Sequence, residues 1–376
     1  MKITDWTVHT PDRNYHVFLE LRTDEGLIGW GACFSQTPQA VGALQWLKRF
    51  VMGESPLEVE RVTEKLHQLT YWHGRGGAMT HAISAINIAL WDLTGKILGQ
   101  PVSVLLGGRH RERVPVYGSI LFHPVDTLPQ RIEAMLARNF RTIKLGWDPF
   151  GQQSLGEDER LAQTARKVAG DSTELLIDAG GSNPYWTMRL KDALERAKML
   201  ADYNVYWFEE PLPPDDIDGY VRLTDLSPVK IAHGEALTRR QTFVPYFQRR
   251  AMDIVQPDSS KVGGLSESRR IAWMAEEHGI ELVPHGWNTA VGVAVDIHMV
   301  ASLHTKSFVE FNVGNVMVEK ITSTPFELGD DGCLEVPTGP GLGIEIDTGR
   351  LKELHDSGYS APSWTWEEEG QFDAKA

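Results

Sequence analysis

The stretch YWFEEPLPPDD, residues 206–216, carries an apolar, strand-like run straight into two adjacent glutamates and then into prolines. Neighbouring side chains on a strand point to opposite faces, so at most one of Glu209 and Glu210 can face the interior. A buried carboxylate is costly unless it is paired or binds a metal. We predict that Glu209 faces inward and that Glu210 points the other way, and the rest of the chain must show what Glu209 meets.

The same pattern of an apolar run that ends in a polar residue recurs from residue 114 onward, in alternation with helix-length segments. Alternating strands and helices predict a parallel sheet, and eight such units in about 200 residues predict an α/β protein with a (β/α)8-type barrel, a modified TIM barrel. A (β/α)7β variant with a degenerate last unit fits the same pattern, and a doubly wound open sheet is the structural alternative. The eight predicted strands are VPVYGSI (114–120), TIKLGW (142–147), ELLIDAG (174–180), YWFEEP (206–211), KIAHGE (230–235), MDIVQPD (252–258), ELVPHGW (281–287) and SFVEFN (307–312).

Composition and charge exclude several classes of protein. Of the 376 residues, 41% are hydrophobic and 23% are charged, which is ordinary for a globular chain. The net charge of −14 argues against a nucleic-acid partner, because nucleic acids bind basic surfaces. Only two cysteines occur, Cys33 and Cys333, and neither a signal peptide nor an apolar run of about 18 residues is visible. We therefore expect a cytoplasmic protein with no membrane partner.

Ionisable residues stand at the ends of seven successive predicted strands. In a parallel barrel, the chemistry lies at the carboxyl ends of the strands. One polar residue after a strand is common because loops are polar, but seven in succession on one face indicate a site. These residues are Lys144, Asp178, Glu209, Glu235, Asp258, His285 and Glu310.

Three of these residues, Asp178, Glu209 and Glu235, are carboxylates on neighbouring strands. If they converge without a counter-charge, they repel one another and take up protons. A hard divalent cation removes the repulsion, and a ligand set of oxygen atoms alone favours Mg²⁺, or Mn²⁺, over Zn²⁺. We therefore predict that the three residues bind Mg²⁺. The alternative is three exposed loop acids, each paired with a lysine or an arginine.

Asp258 and His285 end adjacent predicted strands and form a second candidate group. A carboxylate beside an imidazole fixes its tautomer and raises its basicity, which suits a general base. Lys144 is expected on the opposite side of the barrel mouth, where it can face His285 across a substrate. The alternative is that His285 is a core histidine whose hydrogen bonds are satisfied.

Taken together, these motifs resemble the enolase superfamily and, within it, the mandelate racemase-like subgroup. LLIDAG, WFEEP and HGE are similar to the three metal-ligand strands of that subgroup, QPDSSKVGG and VPHGW to its Asp–His dyad, and FVEFN to its eighth-strand carboxylate. The resemblance implies Mg²⁺ on Asp178, Glu209 and Glu235, and a base that removes the proton α to a substrate carboxylate. It also implies that Glu310 belongs to the catalytic site.

The resemblance covers nearly the whole chain and implies three parts. Residues 1–112, which contain mixed strands and helices, are similar to the α+β capping domain of the subgroup. Residues 113–325 form the barrel. PTGPGLGIEID, within residues 326–376, is similar to the closing segment, so we expect this C-terminal part to return to the capping domain and complete it.

The second predicted strand departs from the subgroup at one position. The subgroup often carries Lys-x-Lys there, whereas this chain reads TIKLG, with Thr142 in place of the first lysine. A neighbouring ammonium would lower the pKa of Lys144 and help it to act as a base. Without one, we expect Lys144 to stay protonated and to bind the substrate carboxylate or stabilise developing charge. This favours one-base chemistry through His285.

Further substrate contacts are predicted near the barrel mouth. The HGRGG motif is a Gly/Arg loop in the capping domain, and His73 and Arg75 are candidates to hold the anionic or hydroxylated end of a substrate. A solvated turn is the alternative. Trp287, after the seventh strand, is a candidate to line the pocket, whereas Lys261, three residues after Asp258, is interpreted as structural.

These features predict a Mg²⁺-dependent lyase that dehydrates a sugar acid, either an aldonate or an aldarate, to a 2-keto-3-deoxy acid. The small-molecule carboxylate substrate loses its α-proton to His285 and its β-hydroxyl with the help of an acid. A racemase, an epimerase or a sugar-lactone cycloisomerase on the same scaffold is the first alternative, because fold does not decide among these. A non-catalytic sugar-acid-binding protein is the second. We expect the chain to form a homo-oligomer.

Overall fold

The N-terminal part of the chain is a three-stranded antiparallel sheet followed by helices. The computed structural model describes residues 1–183 and 186–360. Strands β1 (Ile3–His9), β2 (His16–Thr23) and β3 (Ile28–Phe34) pair in that order. Gly26, with a φ of 82°, lies in the turn between β2 and β3. The helices after this sheet are α1 (Thr37–Val51), α2 (Val59–Leu69), α3 (Gly77–Leu98) and α4 (Val102–Leu105).

Helix α3 packs so closely on β3 that only glycine fits at two positions of the strand. A Cβ on Gly31 would lie 1.9 Å from the carbonyl oxygen of Ala85, and a Cβ on Gly29 would lie 2.4 Å from that of Ala89. The middle of α3 is buried around its whole circumference. The sheet and α3 therefore form the core of the N-terminal domain.

The next part of the chain forms a barrel of parallel strands. Among the described residues, all eight predicted strands are present, and each of the first six pairs in parallel with the next along the chain. The last strand returns to pair in parallel with the first, and the hydroxyl of Ser307 donates to the carbonyl of Leu282 at 2.6 Å across the remaining gap. The strands are β4 (Arg113–Leu121), β5 (Thr142–Gly146), β6 (Glu174–Asp178), β7 (Val205–Glu209), β8 (Lys230–His233), β9 (Ile254–Val255), β10 (Glu281–Leu282) and β11 (Val309–Asn312).

One long helix lies between each pair of consecutive barrel strands in the described ranges. After β11, helix α12 (Val316–Glu319) is a single turn, so the barrel is the (β/α)7β variant. No helix in the described part of the chain has the length and the apolar character required to cross a bilayer. The seven connecting helices are α5 (Leu128–Ala137), α6 (Leu155–Ala169), α7 (Leu190–Asp202), α8 (Ile217–Leu226), α9 (Arg240–Gln248), α10 (Leu265–Glu277) and α11 (Ala290–Ala301).

A layer of large side chains fills the barrel beneath the strand ends. Tyr117 and Trp207 meet edge to face with their ring centroids 5.4 Å apart. Because residues two apart on a strand share a face, Leu176 and Trp207 point inward together with the acidic residues that end β6 and β7. The layer comprises Tyr117, Leu176, Trp207, Ala232, Ile254, Val283 and Phe308.

The segment after the barrel contacts both other parts of the molecule. Strand β12 (Cys333–Glu335) pairs antiparallel with the beginning of β4, and Gly341 forms an isolated bridge with Pro101. After helix α13 (Thr348–Ser357), the carbonyl of Tyr359 accepts a hydrogen bond from the backbone N–H of Arg13 at 3.2 Å. The predicted boundaries after residues 112 and 325 stay predictions. Residues 361–376 of the predicted C-terminal part lie outside the described residues.

Asp92 joins three segments through one buried carboxylate. Its Oδ2 accepts from the backbone N–H of Trp30 at 2.8 Å and from Lys96 Nζ at 2.7 Å, and its Oδ1 accepts from the N–H of Leu342 at 2.8 Å.

Asp92→Ala leaves these donors unpaired, so we expect the free energy of unfolding in denaturant titrations to fall by about 2–4 kcal/mol. Asp356→Ala, which removes an exposed ion pair, is the control and should leave the midpoint unchanged. Equal changes in both variants would contradict this role for Asp92.

Candidate active site

The three predicted metal ligands meet at the carboxyl end of the barrel. Asp178 and Glu209 are the last residues of β6 and β7 and lie opposite each other in the parallel register. Glu235 comes two residues after the end of β8. One carboxylate oxygen from each residue lies within 4.8 Å of the other two, and all three residues are buried. The barrel therefore brings together carboxylates that are far apart in the sequence.

Burial and mutual repulsion make this acidic triad unfavourable without a counter-charge. Burial raises the pKa of Asp178, and the neighbouring Glu209 carboxylate raises it further, to well above its usual value. Burial also raises the pKa of Glu209, although Lys144 acts in the opposite direction. A divalent cation that takes oxygen ligands would remove the repulsion, so these residues fit Mg²⁺ or Mn²⁺.

Lys144 is a cation enclosed by acids. Its Nζ lies 2.9 Å from both Glu209 Oε1 and Glu310 Oε1. The same Nζ is 3.7 Å from Asp178 Oδ2. Burial lowers the pKa of Lys144, but Glu209 and Glu310 outweigh burial and hold the pKa well above its ordinary value. The two carboxylates therefore favour the protonated form of Lys144, and its part in catalysis stays a prediction.

Glu310 reaches this cluster from inside its strand. It is the second residue of β11 rather than a residue at the strand end. Besides the contact with Lys144, its Oε2 accepts a hydrogen bond from the backbone N–H of Gly286 at 2.7 Å. Glu310 therefore connects the lysine on β5 with the loop that carries His285.

Asp258 and His285 form a hydrogen-bonded pair just beyond β9 and β10. Asp258 Oδ2 lies 2.8 Å from His285 Nδ1, and Asp258 Oδ1 accepts from the N–H and the hydroxyl of Ser260 at 2.7 and 2.6 Å. On the other side of the ring, His285 Nε2 is 2.9 Å from Glu235 Oε2. Burial lowers the pKa of His285, but Glu235 and Asp258 raise it to a net value of about 10. The imidazole is thus held between its paired acid and one acid of the triad.

Lys261 belongs to the site, although the sequence analysis interpreted this residue as structural. Its Nζ lies 3.7 Å from Asp258 Oδ2 and 3.8 Å from Glu235 Oε1. Strand β9 ends at Val255, and the N–H of Lys261 donates to the carbonyl of Asp258 at 2.9 Å. Residues three apart share a face in such a turn, whereas on a strand they do not. If the sequence analysis had predicted a turn at residues 258–262, it would have placed Lys261 on the same face as Asp258.

Glu210 is buried but is not one of the three clustered carboxylates, and its predicted direction away from them stays a prediction. Strand β7 ends at Glu209, and Glu210 has a positive φ of 41°, so strand alternation no longer applies to it. The residue is 1% exposed, and its Oε2 accepts from the N–H of Ser182 at 3.3 Å. Within the described ranges its Oε1 has no partner. Burial and, next, Glu235 raise the pKa of Glu210 to about 8, so the acid is mostly neutral at pH 7.

The strand ends open into a cavity that the N-terminal domain covers. The cavity has a volume of about 310 Å³, which is within the range of small-molecule sites. Tyr15, Phe34 and Gln36 line it from the N-terminal domain, and no sequence motif marks these three residues. Trp287, a predicted substrate contact, also lines it. The barrel contributes, among others, Lys144, Trp147, Asp178, Ser182, Glu235, Lys261 and His285.

The structure places His73 and Arg75 away from this cavity. The ring of His73 packs on Trp46 with the centroids 4.8 Å apart, and the guanidinium of Arg75 lies 5.5 Å from the ring centroid of Tyr71. Neither residue is among those that line the cavity. The N-terminal domain instead faces the site with the loop before β2 and the end of β3, which the sequence pattern did not indicate.

Fold and site together define a capped (β/α)7β barrel with an acidic triad and an Asp–His pair. The family model described as Mandelate racemase / muconate lactonizing enzyme, N-terminal domain, matches residues 3–107. The model described as Enolase C-terminal domain-like matches residues 127–350. The chain therefore belongs to the mandelate racemase/muconate lactonizing enzyme family of the enolase superfamily, which confirms the resemblance seen in the motifs.

Three relatives illustrate the activities within this family. The chain is 33% identical to the D-galactarolactone cycloisomerase of Agrobacterium fabrum, over 91% of this chain and 92% of that protein. It is 30% identical to the arabinonate dehydratase of Saccharolobus solfataricus, over 90% of each chain. The crystal structure of the 3,6-anhydro-D-galactonate cycloisomerase from Zobellia galactanivorans superimposes with a TM-score of 0.87 at 29% identity, covering 94% of this chain and 99% of that one. The relatives thus include both lyases and isomerases.

Metal binding should distinguish the two adjacent glutamates. Glu209→Gln removes an anionic ligand, and we expect the Mg²⁺ affinity measured by calorimetry to fall by more than about 100-fold, because even the loss of an outer group costs about 10–100-fold. Glu210→Gln replaces an acid that is mostly neutral at pH 7, so the affinity should change there by less than about 3-fold.

The pH dependence of the Mg²⁺ affinity provides the control for the comparison of these two variants. Because the pKa of Glu210 is raised to about 8, this acid ionises as the pH rises through that value and then adds negative charge beside the triad. The gap between wild type and Glu210→Gln should therefore widen above about pH 8. Equal losses of affinity in both variants at pH 7 would contradict the assignment of Glu209 as the ligand.

Proposed function

We propose that this protein is a Mg²⁺-dependent lyase that dehydrates a sugar acid to a 2-keto-3-deoxy acid. One observation carries the proposal: His285, Lys144 and two acids of the triad line a single cavity under the N-terminal domain. A general base, a fixed cation and a candidate metal site are the groups that α-proton abstraction next to a carboxylate needs. The similarity to an arabinonate dehydratase supports the proposal.

Two sources of positive charge act on the substrate carboxylate. The triad would hold Mg²⁺, which supplies charge that lowers the cost of removing the α-proton. Lys144, protonated between Glu209 and Glu310, adds a second charge from a fixed position. A positioned base contributes about 10²–10⁴-fold to the rate, whereas enzymes commonly reach ~10⁶-fold or more. Charge stabilisation must therefore supply a large part of the acceleration.

His285 takes the α-proton at Nε2, because its Nδ1 is engaged by Asp258. When Nε2 contacts Glu235, the imidazole is protonated and cannot act as a base. Glu235 is also a proposed metal ligand, so its engagement with a cation competes with this contact. Loss of the Glu235 contact lowers the pKa of His285 and frees Nε2 for the substrate.

Dehydration needs a proton as well as a base. When the α C–H bond breaks, its electron pair forms the double bond to the β-carbon, and the β-hydroxyl leaves as water after it gains a proton. The enol that remains takes up a proton at the former β-carbon to give the 2-keto-3-deoxy acid. If the elimination is syn, His285 can return to the leaving hydroxyl the proton that it took.

A cycloisomerase is the second candidate, because two of the relatives named above are cycloisomerases. It would share the proton abstraction by His285 but would retain all atoms of the substrate. A racemase or an epimerase needs a base on each face of the substrate, and Lys144, the candidate for the second face, is held as a cation by acids. A non-catalytic sugar-acid-binding protein would not need the Asp258–His285 pair.

The proposal also concerns where the protein works. Both Cys33 and Cys333 are free thiols, which fits the reducing cytoplasm. Assembly into a homo-oligomer stays a prediction, and light scattering of the purified protein at several concentrations would test it.

Exchange of the α-proton with solvent should identify the base. We expect His285→Asn to abolish the Mg²⁺-dependent exchange observed by NMR in D₂O. Lys144→Ala should lower turnover by about 10²-fold or more because it removes a fixed charge, whereas Lys144→Arg should keep part of it. Arginine does not give up its proton in proteins. Exchange that survives in His285→Asn, together with complete loss in Lys144→Arg, would make Lys144 the base.

The product should distinguish the dehydratase from the cycloisomerase. Dehydration removes one water and leaves an α-keto acid that forms a semicarbazone, so we expect both a mass loss and semicarbazone absorbance with an active sugar acid. A product of unchanged mass that forms a semicarbazone would instead support the cycloisomerase, because elimination of a ring oxygen also leaves an enol, and a product of unchanged mass that forms none would support an epimerase.

A further inference from the structure

A second cavity of about 350 Å³ adjoins the cavity over the triad and shares five lining residues with it. The second cavity lies between the loop before β2, the ends of β4 and β11, and Tyr359 of the C-terminal segment. A ligand held at the triad can therefore extend its far end into this space. The residues that line both cavities are Tyr15, Phe34, Ile120, Leu121 and Trp287.

The second cavity differs from the first in its charge. Its basic side chains are His16, His123 and Arg131, and within the described ranges no aspartate or glutamate lines it. In the first cavity, by contrast, Lys144 and Lys261 are each within 4 Å of two or more carboxylates. His16 pairs with the buried Asp12, but Arg131 has no carboxylate partner among the described residues, so this cavity in a chain with a net charge of −14 favours an anionic ligand.

Arg131 supplies a fixed positive charge to the second cavity. Its terminal nitrogens donate to the carbonyls of Leu121, Phe122 and Pro124 at 2.7–2.8 Å, which holds the guanidinium in place. Its Nε has no partner in the part of the chain that the structure describes. Burial lowers the pKa of Arg131, and no described carboxylate offsets this effect. A preorganised cation without a counter-ion is suited to a carboxylate.

His16 supplies a second nitrogen in the same wall. The residue is 2% exposed, and its Nδ1 lies 2.6 Å from Asp12 Oδ2, which fixes the ring. Its Nε2 is buried and has no partner among the described residues. Asp12 also accepts from the backbone N–H groups of Asn14 and Tyr15, so it shapes the loop that carries this wall of the cavity.

We propose that the second cavity binds the second carboxylate of a sugar dicarboxylic acid, so that the substrate is an aldarate rather than an aldonate. The first carboxylate lies at the triad and Lys144, and the second lies with Arg131 and His16. The hydroxylated carbons between them pass the shared walls of the two cavities. This inference rests on the proposed function, because the triad must anchor the first carboxylate.

Matched pairs of sugar acids test the inference. Each aldarate is compared with the aldonate of the same configuration, which has a primary alcohol in place of the second carboxylate. We expect kcat/KM for the preferred aldarate to exceed that for its aldonate by at least about 100-fold, because a charge-assisted contact is lost. A preferred aldonate would overturn the inference and leave the proposed function intact. Absence of Mg²⁺-dependent α-proton exchange in every member of both series would overturn the proposed function, and the inference with it.

Variants of Arg131 test its role in the preference. Arg131→Gln removes the charge but keeps a donor for the backbone carbonyls, so kcat/KM should fall by about 100-fold for the aldarate and by less than about 3-fold for the aldonate. Arg131→Lys keeps the charge and should retain part of the preference. Damage to the fold would instead lower both activities together, and an equal loss on both substrates would overturn the assignment.

Arg138 offers a matched control at the end of the same helix, α5. It pairs with Glu319 at 3.0 Å and lines neither cavity. Arg138→Gln therefore removes a cation of the same kind outside the proposed site. The variant should keep the full preference for the aldarate over the aldonate. A loss of this preference as large as that in Arg131→Gln would overturn a local role for Arg131.

Discussion

Five buried carboxylates at the mouth of the barrel impose the charge constraint on which the rest of the site depends. Three cations are interleaved with them: Lys144 contacts acids on one side, and Lys261 and His285 contact acids on the other. The acids outnumber the cations, and a divalent cation would offset the excess of negative charge. The burial of so much charge therefore fits a site built to hold a metal. The acids are Asp178, Glu209, Glu235, Asp258 and Glu310.

Glu235 connects the two halves of this site. Its carboxylate belongs to the triad and also contacts His285 Nε2, so the protonation of the base depends on what else Glu235 binds. In the proposed mechanism, proton abstraction by His285 therefore depends on a metal bound at the triad. This arrangement also explains how one scaffold can serve both lyases and isomerases, because they share this step and differ only in the later bond changes.

The reaction and the choice of substrate depend on different parts of the molecule. The acids, the lysines and the histidine belong to barrel strands or to the turns directly after them, where sheet register holds them rigidly. The far end of the cavity is built from the loop before β2, helix α5 and Tyr359. Loops on a rigid scaffold can change without disturbing the chemistry, so specificity is expected to reside there.

The sequence by itself determined the barrel and the inward acids of its strands. Strand–helix alternation predicted the barrel, with a doubly wound open sheet as the alternative, and the predicted convergence of three strand-end acids on a metal selected Glu209 rather than Glu210 as the inward residue. The strand rule failed for Lys261, because this residue lies past the end of β9, where a helical turn resets the direction of the side chain. Sequence reasoning could not have corrected this without knowing where each strand ends.

Only the tertiary structure decided which residues of the N-terminal domain face the substrate. A motif rich in glycine and arginine pointed to His73 and Arg75, whereas the domain presents Tyr15, His16 and Phe34 to the two cavities. Arg131 joins them from a helix far along the chain. The proximity of these residues depends on how the N-terminal sheet packs on the barrel through many weak contacts, and no local pattern of residues encodes that orientation.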